Sequence, residues 1–247
     1  MKTYRADLHV HTVLSPCAEI EMIPPLIVDE AVERGIDLIA ITDHNASENV
    51  IAVMEAARGT PLIVLPGIEV QTIEEVHVIC LFDTLEQVME IQTVIDQSLP
   101  DMLNRPEYFG DQLVVTSEGD YIRSDPRLRL TSVNITLKEL FQLVRNHEGL
   151  PIPAHVDRKA NGLIEVLGLI PQDIKIDGLE VTRHFSFENP PQKYKQVLNY
   201  PLIQNGDVHR LEDFLGRNVF TITAPTVSEL KQALKKENNR FYQINNG

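Results

Sequence analysis

Six of the eight histidines in this chain, with several acidic residues, stand at or near the ends of short apolar runs, and this placement constrains the fold more than any other feature. They are His9 and His11 in Ala6-Asp7-Leu8-His9-Val10-His11, His44 directly after Asp43, His77, His155, and His209 two residues beyond Asp207, while Glu69 ends a further run. In an extended strand alternate side chains share a face, so Asp7, His9 and His11 are expected on one side and Leu8 and Val10 on the other. A single His-x-His pair would carry little weight, because a strand can hold two satisfied histidines without any ligand. The whole distribution is different. Packing does not require it, whereas a fold that gathers strand ends around a polynuclear metal centre does.

The apolar runs alternate with helix-like stretches whose starts and stops are chemically marked, the pattern of a mainly parallel α/β architecture. Pro24-Pro25 suits the first turn of a helix that stops at Gly35, and Ser47 is placed to cap a helix that stops at Gly59. Thr84 with Gln87, and Thr136 with Glu139, have capping-box spacing, Thr226 with Glu229 opens a terminal helix, and Pro190-Pro191 opens another. Only a short polar link separates the run that ends near Glu69 from the run Val76 to Phe82. A parallel crossover needs about a dozen residues or more, so these two strands should form an antiparallel hairpin that returns His77 to the end of the sheet carrying Glu69. Strand C-termini of a parallel sheet or barrel share one rim, which would collect His11, His44, Glu69, His155 and His209. Glu69 has two oxygens to share between ions, and Asp207-x-His209 repeats the alternate spacing of His9-x-His11.

From about residue 98 to 134 the periodicity fails, broken by Pro100, Pro106, Gly110, Gly119 and Pro126. This is expected to be an inserted lobe with a hairpin turning at Ser117 to Asp120, either a lid or specificity element or a plain surface excursion.

With 247 residues, 43% of them hydrophobic, the chain can bury one large core, and a single domain over residues 1–247 is expected. A formal net charge of −14 repels nucleic acid and anionic membrane wherever it is not locally reversed. The expected partner is therefore a small anionic phosphorylated substrate drawn by metal and a few arginines, with neither nucleic acid nor membrane expected and the oligomeric state open. Met1-Lys2-Thr3-Tyr4-Arg5 leads into the first strand with no apolar signal region, which points to a cytoplasmic protein. Cys17 and Cys80 are too few for a disulfide framework.

Five motifs, in order, resemble those of the PHP family, the polymerase and histidinol phosphatase metal-dependent phosphoesterases. They are Asp-Leu-His-Val-His-Thr from Asp7, Ile-Thr-Asp-His from Ile41, Pro-Gly-Ile-Glu-Val from Pro66, Ala-His-Val-Asp-Arg from Ala154 and Gly-Asp-Val-His from Gly206. The resemblance spans nearly the whole chain outside the lobe. It implies a distorted (βα)7-type barrel and two or three divalent ions, zinc, manganese or iron. Carried over residue by residue, it assigns His9, His11, Glu69 and Asp207 to a first ion, Glu69, His77 and His155 to a second, and His44 and His209 to a third. The loop after the first motif, where the family usually has a further His or Asp ligand, reads Ser15-Pro16-Cys17-Ala18-Glu19-Ile20-Glu21. Cys17, Glu19, Glu21 or none of them completes the third site. Asp43 and Asp7 are expected to orient ligand histidines. Arg158, joined by Arg183 or Arg210, is expected to hold phosphate oxygens, an ion pair being the alternative for each arginine. His147 should lie at the surface, and His184 on the active rim.

The expected reaction is in-line phosphoester hydrolysis by metal-activated hydroxide. One ion lowers the pKa of water to about 7, and a neighbour roughly 3.5 to 4 Å away neutralises phosphoryl charge. Two other readings share the constellation: a metal-dependent hydrolase of a carbon-centred ester or amide, and a non-enzymatic metal or ligand sensor.

Overall fold

The structure is a computed structural model that describes residues 1–245. The chain opens with β1 (Lys2–Val10), which pairs in parallel with β2 (Leu38–Ile41), itself parallel to β3 (Ile63–Gln71). The short link after Gln71 turns the chain back, and β4 (His77–Leu81) lies antiparallel to β3 with His77 opposite Gln71. The chain then builds the lobe hairpin β5 (Leu113–Val115) and β6 (Tyr121–Ser124), and re-enters the sheet as β7 (Leu150–Pro153), antiparallel to β4. Two short strands, β8 (Leu179–Glu180) and β9 (Leu202–Ile203), pair in parallel. Finally β10 (Asn218–Ile222) and β11 (Phe241–Ile244) extend the other flank of β1, antiparallel. The seven-strand sheet thus runs β11-β10-β1-β2-β3-β4-β7.

The sheet curls, and backbone hydrogen bonds beyond the named strands close it. Val156 N–H donates to the Glu180 carbonyl at 2.9 Å, Val181 N–H to Ile203 at 3.0 Å, Val208 N–H to His9 at 3.0 Å, and His11 N–H to Val208 at 2.9 Å. This is the expected distorted α/β barrel with a smaller parallel share than the alternation of elements suggests, because β4, β7 and β10 all enter antiparallel.

One feature of β1 departs from simple alternation. Asp7 stands opposite Ile39 and Val10 opposite Ile41, so three steps of β1 span two of β2, a β-bulge. Leu8 accordingly joins the apolar cluster of Leu38 and Ala40, whereas Val10 joins that of Ile39 and Ile41. His9 and His11 therefore share a face, but the bulge puts Asp7 on the opposite one.

The helices α1 (Pro24–Glu33), α2 (Val50–Ala56), α3 (Leu85–Ser98), α4 (Pro106–Phe109), α5 (Leu137–Asn146), α6 (Leu163–Leu167) and α7 (Val227–Lys235) complete the fold. Thr84 and Thr136 close reciprocal capping boxes with Gln87 and Glu139, and Thr226 accepts from the Glu229 N–H. Ser47 is not a cap: its hydroxyl donates to Gln92 Oε1 at 3.0 Å, and Asn49 holds the N-cap position of α2. After Pro190-Pro191 the chain winds as 3-10 turns over Gln192–Asn199, burying Tyr194 and Val197, which three residues per turn bring to one side. Among the described residues no helix is long and apolar enough to cross a membrane.

The lobe is fastened to the barrel by buried polar groups. Asn45, beside His44, donates to the carbonyls of Arg129 and Thr131, each at 2.8 Å, and Asn49 donates to the Leu113 carbonyl at 2.9 Å. The Arg129 guanidinium returns a bond to the Asn45 carbonyl at 2.9 Å and pairs with Asp125 at 2.6 Å.

Candidate metal centre

Glu69 lies at the middle of the rim, 1% exposed, near the end of β3. His77 Nδ1 is 2.9 Å and His155 Nε2 3.1 Å from its Oε1, and His44 Nδ1 is 2.8 Å from its Oε2. His9 Nε2 lies 3.3 Å from Glu69 Oε1 and 3.3 Å from Asp207 Oδ1; His11 Nε2 lies 3.6 Å from Glu69 Oε2 and 3.4 Å from Asp207 Oδ1. Ligand atoms about 2.0 to 2.2 Å from a tetrahedral ion stand roughly 3.3 to 3.6 Å from one another, so this quartet has the spacing of a coordination shell. Among the described residues three tight groups emerge: His9, His11 and Glu69; His44, Glu69 and His77; and His11, His44 and His209.

The protonation pattern makes the same point. A carboxylate only accepts, so His9 Nδ1, 3.0 Å from Glu180 Oε2, carries the proton and leaves the Nε2 lone pair facing the site. Ser15 Oγ donates to Asp43 Oδ1 at 2.7 Å, accepts from the His44 N–H at 3.1 Å, and is left to accept from His11 Nδ1 at 2.9 Å. His11 Nε2 therefore also presents a lone pair, 3.1 Å from that of His9. Glu69 Oε2, Asp207 Oδ1 and His155 Nδ1 are buried without an aligned hydrogen-bond partner among the described residues. Converging lone pairs and orphaned carboxylate oxygens repel one another unless a cation lies between them. The donor set fits divalent metal, with imidazole and carboxylate in the mixture that zinc, manganese and iron accept.

The electrostatics follow from burial and proximity. Burial works to raise the Glu69 pKa, yet the imidazoles of His77, His9 and His44 packed around it hold it well below the usual carboxylate range. Burial, with His209 and His44, pushes His11 well below its ordinary value, which keeps it a neutral donor. Asp7 is driven up to about 6 by burial, against backbone N–H bonds from Gly206, Leu215 and Gly216. From its own face of β1 it thus fixes the turn that presents Asp207.

The remaining expected residues fall in defined places. Asp43 stands behind the rim, holding Thr12 and Ser15, and through Ser15 it orients His11. Cys17 is exposed in the same cavity wall as His44 and His209; burial of its sulfur would raise the thiol, but those two histidines pull it down to about 6. Glu19 pairs with Arg210 at 2.8 Å. Glu21 is exposed. Arg158 donates to Asp207 Oδ2 at 2.7 Å and borders the two cavities that open beside the cluster, of about 430 and 440 Å³. Arg183 lines the first of these, tied to the Gly206 carbonyl at 2.8 Å and to Asp213 at 3.0 Å, and His184 lines it too. His147 caps α5 away from the site.

Two groups carry more of the site than their sequence context suggests. Glu180, 1% exposed, accepts from His9, from the His155 N–H at 2.8 Å and from Asn205 Nδ2 at 2.7 Å. Asn205 also accepts from the Leu8 N–H at 2.9 Å, tying β1 to the closing segment. The available signal was an acid inside the apolar run Leu179-Glu180-Val181.

Comparison with known proteins places this geometry in context. The 5'-3' exoribonuclease Rnm of Salmonella typhimurium is 36% identical over 73 residues, 29% of this chain and 24% of that protein. The lesion-specific endonuclease PfuEndoQ of Pyrococcus furiosus superposes with a TM-score of 0.72 at 20% identity, over 98% of this chain and 58% of that one. An Endonuclease Q complex with a 27-mer duplex bearing an abasic lesion at its active site gives 0.68 at 19% identity, over 97% of this chain and 58% of that one. The chain thus spans about a quarter of the exoribonuclease and 58% of the endonuclease.

These relatives overturn the expectation that nucleic acid is disfavoured as a partner. Net charge sums the whole surface, whereas charges further than a Debye length of about 8 Å from a bound phosphate are largely screened. Arg158 and Arg183 line the cavity beside the cluster, each paired with an acid, Asp207 and Asp213 respectively. Residues 7–160 match the PHP domain, well over half of the chain, and with its five motifs and curled barrel the protein belongs to the PHP family.

Proposed function

We propose that this chain is a metal-dependent phosphoesterase that cleaves phosphoester bonds of nucleic acid. The observation that carries the reading is the ring of imidazole and carboxylate donors around Glu69, opening on cavities bordered by Arg158. Its likeness to an exoribonuclease and to endonuclease Q supports the substrate class. His9, His11, Glu69 and Asp207 hold one ion, Glu69, His77 and His155 a second, and His44 and His209, with Cys17 as the further donor, a third. Divalent ions held there supply a Lewis acid that activates water near neutral pH and offsets phosphoryl charge.

The protein's own groups do the rest. Glu180 and Ser15 hold the proton on Nδ1 of His9 and His11, which keeps both Nε2 atoms as donors to metal. Arg158 leans on Asp207 and from there binds non-bridging phosphate oxygens, and Arg183, held by Gly206 and Asp213, adds charge on the far side of the cavity. The test is cleavage of end-labelled single-stranded RNA and DNA and of duplex DNA by protein loaded with manganese or zinc. Activity should vanish with chelator and return with metal. Metal-replete protein that cleaves none of these would defeat the reading.

A further inference from the structure

The second cavity has an asymmetric wall. His44, His77, His209 and Arg158 line it from the barrel, while the inserted lobe supplies the apolar side chains of Phe109 and Leu130. Phe109 is 38% exposed and lies outside the buried apolar clusters. It is nevertheless held in place. Gly110, next to it, packs so closely on the loop of the first motif that a Cβ at this position would come within 2.2 Å of the Pro16 carbonyl oxygen. The Gly110 N–H also bonds the Pro106 carbonyl at 2.9 Å, and its own carbonyl accepts from Asn104 Nδ2 at 2.9 Å. The amide side chains of Gln71 and Asn161 also line the cavity. An aromatic face, amide edges and an arginine beside a metal-type donor cluster together complement a nucleobase attached to a phosphate.

We propose that Phe109 is a substrate-positioning residue of the lobe, stacking on the base next to the phosphate that is cut. This rests on the reading of the chain as a nucleic-acid phosphoesterase and deepens it: the lobe is the element that selects single-stranded, base-bearing substrate. A stacked base must be unpaired, so the wall favours a single strand or an end over the interior of a duplex.

The test separates binding from turnover. A short single-stranded oligonucleotide carrying 2-aminopurine is titrated with the full chain, because stacking on an aromatic ring quenches its fluorescence. Phe109→Ala should abolish most of the quench and weaken binding about 5- to 100-fold, the range for one base–aromatic stack. Phe109→Trp should retain both, and Tyr108→Ala, on a side chain 71% exposed outside the cavity, should change neither. An abasic residue in place of 2-aminopurine should bind wild type and Phe109→Ala alike. Unchanged affinity and quench in Phe109→Ala, or an equal loss in Tyr108→Ala, would overturn the assignment even if the wild type cleaves nucleic acid. Quenched, Phe109-dependent binding without any cleavage would uphold the stacking and remove the phosphoesterase reading instead.

Discussion

Glu180→Gln is the sharpest test of how the site is kept ready for metal. The two carboxylate oxygens accept four contacts, from His9 Nδ1 at 3.1 and 3.0 Å, the His155 N–H at 2.8 Å and Asn205 Nδ2 at 2.7 Å, in a position only 1% exposed. A glutamine of the same shape offers one oxygen and one NH2, so whichever way it turns, a donor faces a donor. Losing a charge-assisted bond costs about 1.5–3 kcal/mol, and burying an unsatisfied donor adds about 1–3 kcal/mol. The metal-free variant should therefore be about 2.5–6 kcal/mol less stable in urea unfolding. Once Nδ1 loses its carboxylate, His9 is free to carry its proton on Nε2, and chelator-competition titration should show metal binding weakened about 10- to 100-fold. Stability within about 0.5 kcal/mol of wild type, together with unchanged metal affinity, would refute the argument that Glu180 sets the His9 tautomer.

Three further outcomes follow from the same geometry. Glu69→Gln should lose metal by elemental analysis and nearly all turnover while its far-ultraviolet circular dichroism stays native, since the apolar clusters lie away from the rim; a metal-replete, active variant would remove Glu69 from the centre. Arg158→Ala should keep its metal but turn over about 10²- to 10³-fold more slowly, the size of effect seen when one preorganised donor to transition-state charge is removed, and loss of metal would instead make its bond to Asp207 the important one. Because the Cys17 thiol is pulled down to about 6, thiolate is present above that pH, so alkylation by iodoacetamide in metal-free protein should rise to a plateau with a midpoint near 6 rather than the ordinary 8.5 or so. Added metal should then protect Cys17, and free alkylation of metal-loaded protein would show that the sulfur is not a ligand.

Much of the candidate site was legible in the chain because its donor residues obey local rules. His44, Glu69 and His155 stand near strand ends, the short link after Gln71 permits only a hairpin, and the capping boxes at Thr84 and Thr136 depend on residues three apart. What stayed hidden depends on contacts distant in sequence. Glu180 lies in a strand of two residues with no periodicity of its own, and its partners are His9, His155 and Asn205. The bulge that separates Asp7 from His9 is a matter of register against β2, which alternation along β1 alone does not reveal. Ser47 has the composition of a cap but finds Gln92 across the α2–α3 interface, where tertiary contact overrides a local preference. The expectation against nucleic acid failed for the same reason: net charge discards position and says nothing of where Arg158 and Arg183 stand.

The way the barrel is sealed has a consequence for its breathing. Between β7 and β1 the wall consists of β8, β9 and the segment around Val208, joined by a handful of backbone bonds, whereas β1, β2, β3 and β4 form a continuous ladder. Few amides guard that seam, so its local opening should take less energy than unzipping the rest of the sheet, and its amides should exchange with solvent first. Asp207, His209 and Glu180 stand on the seam, while His9, His11, Glu69 and His155 stand on the ladder side, and the donor cluster straddles the gap. Ions bound there would act as a clasp as well as a reaction centre, so that the weakest wall of the barrel is latched by the chemistry it encloses.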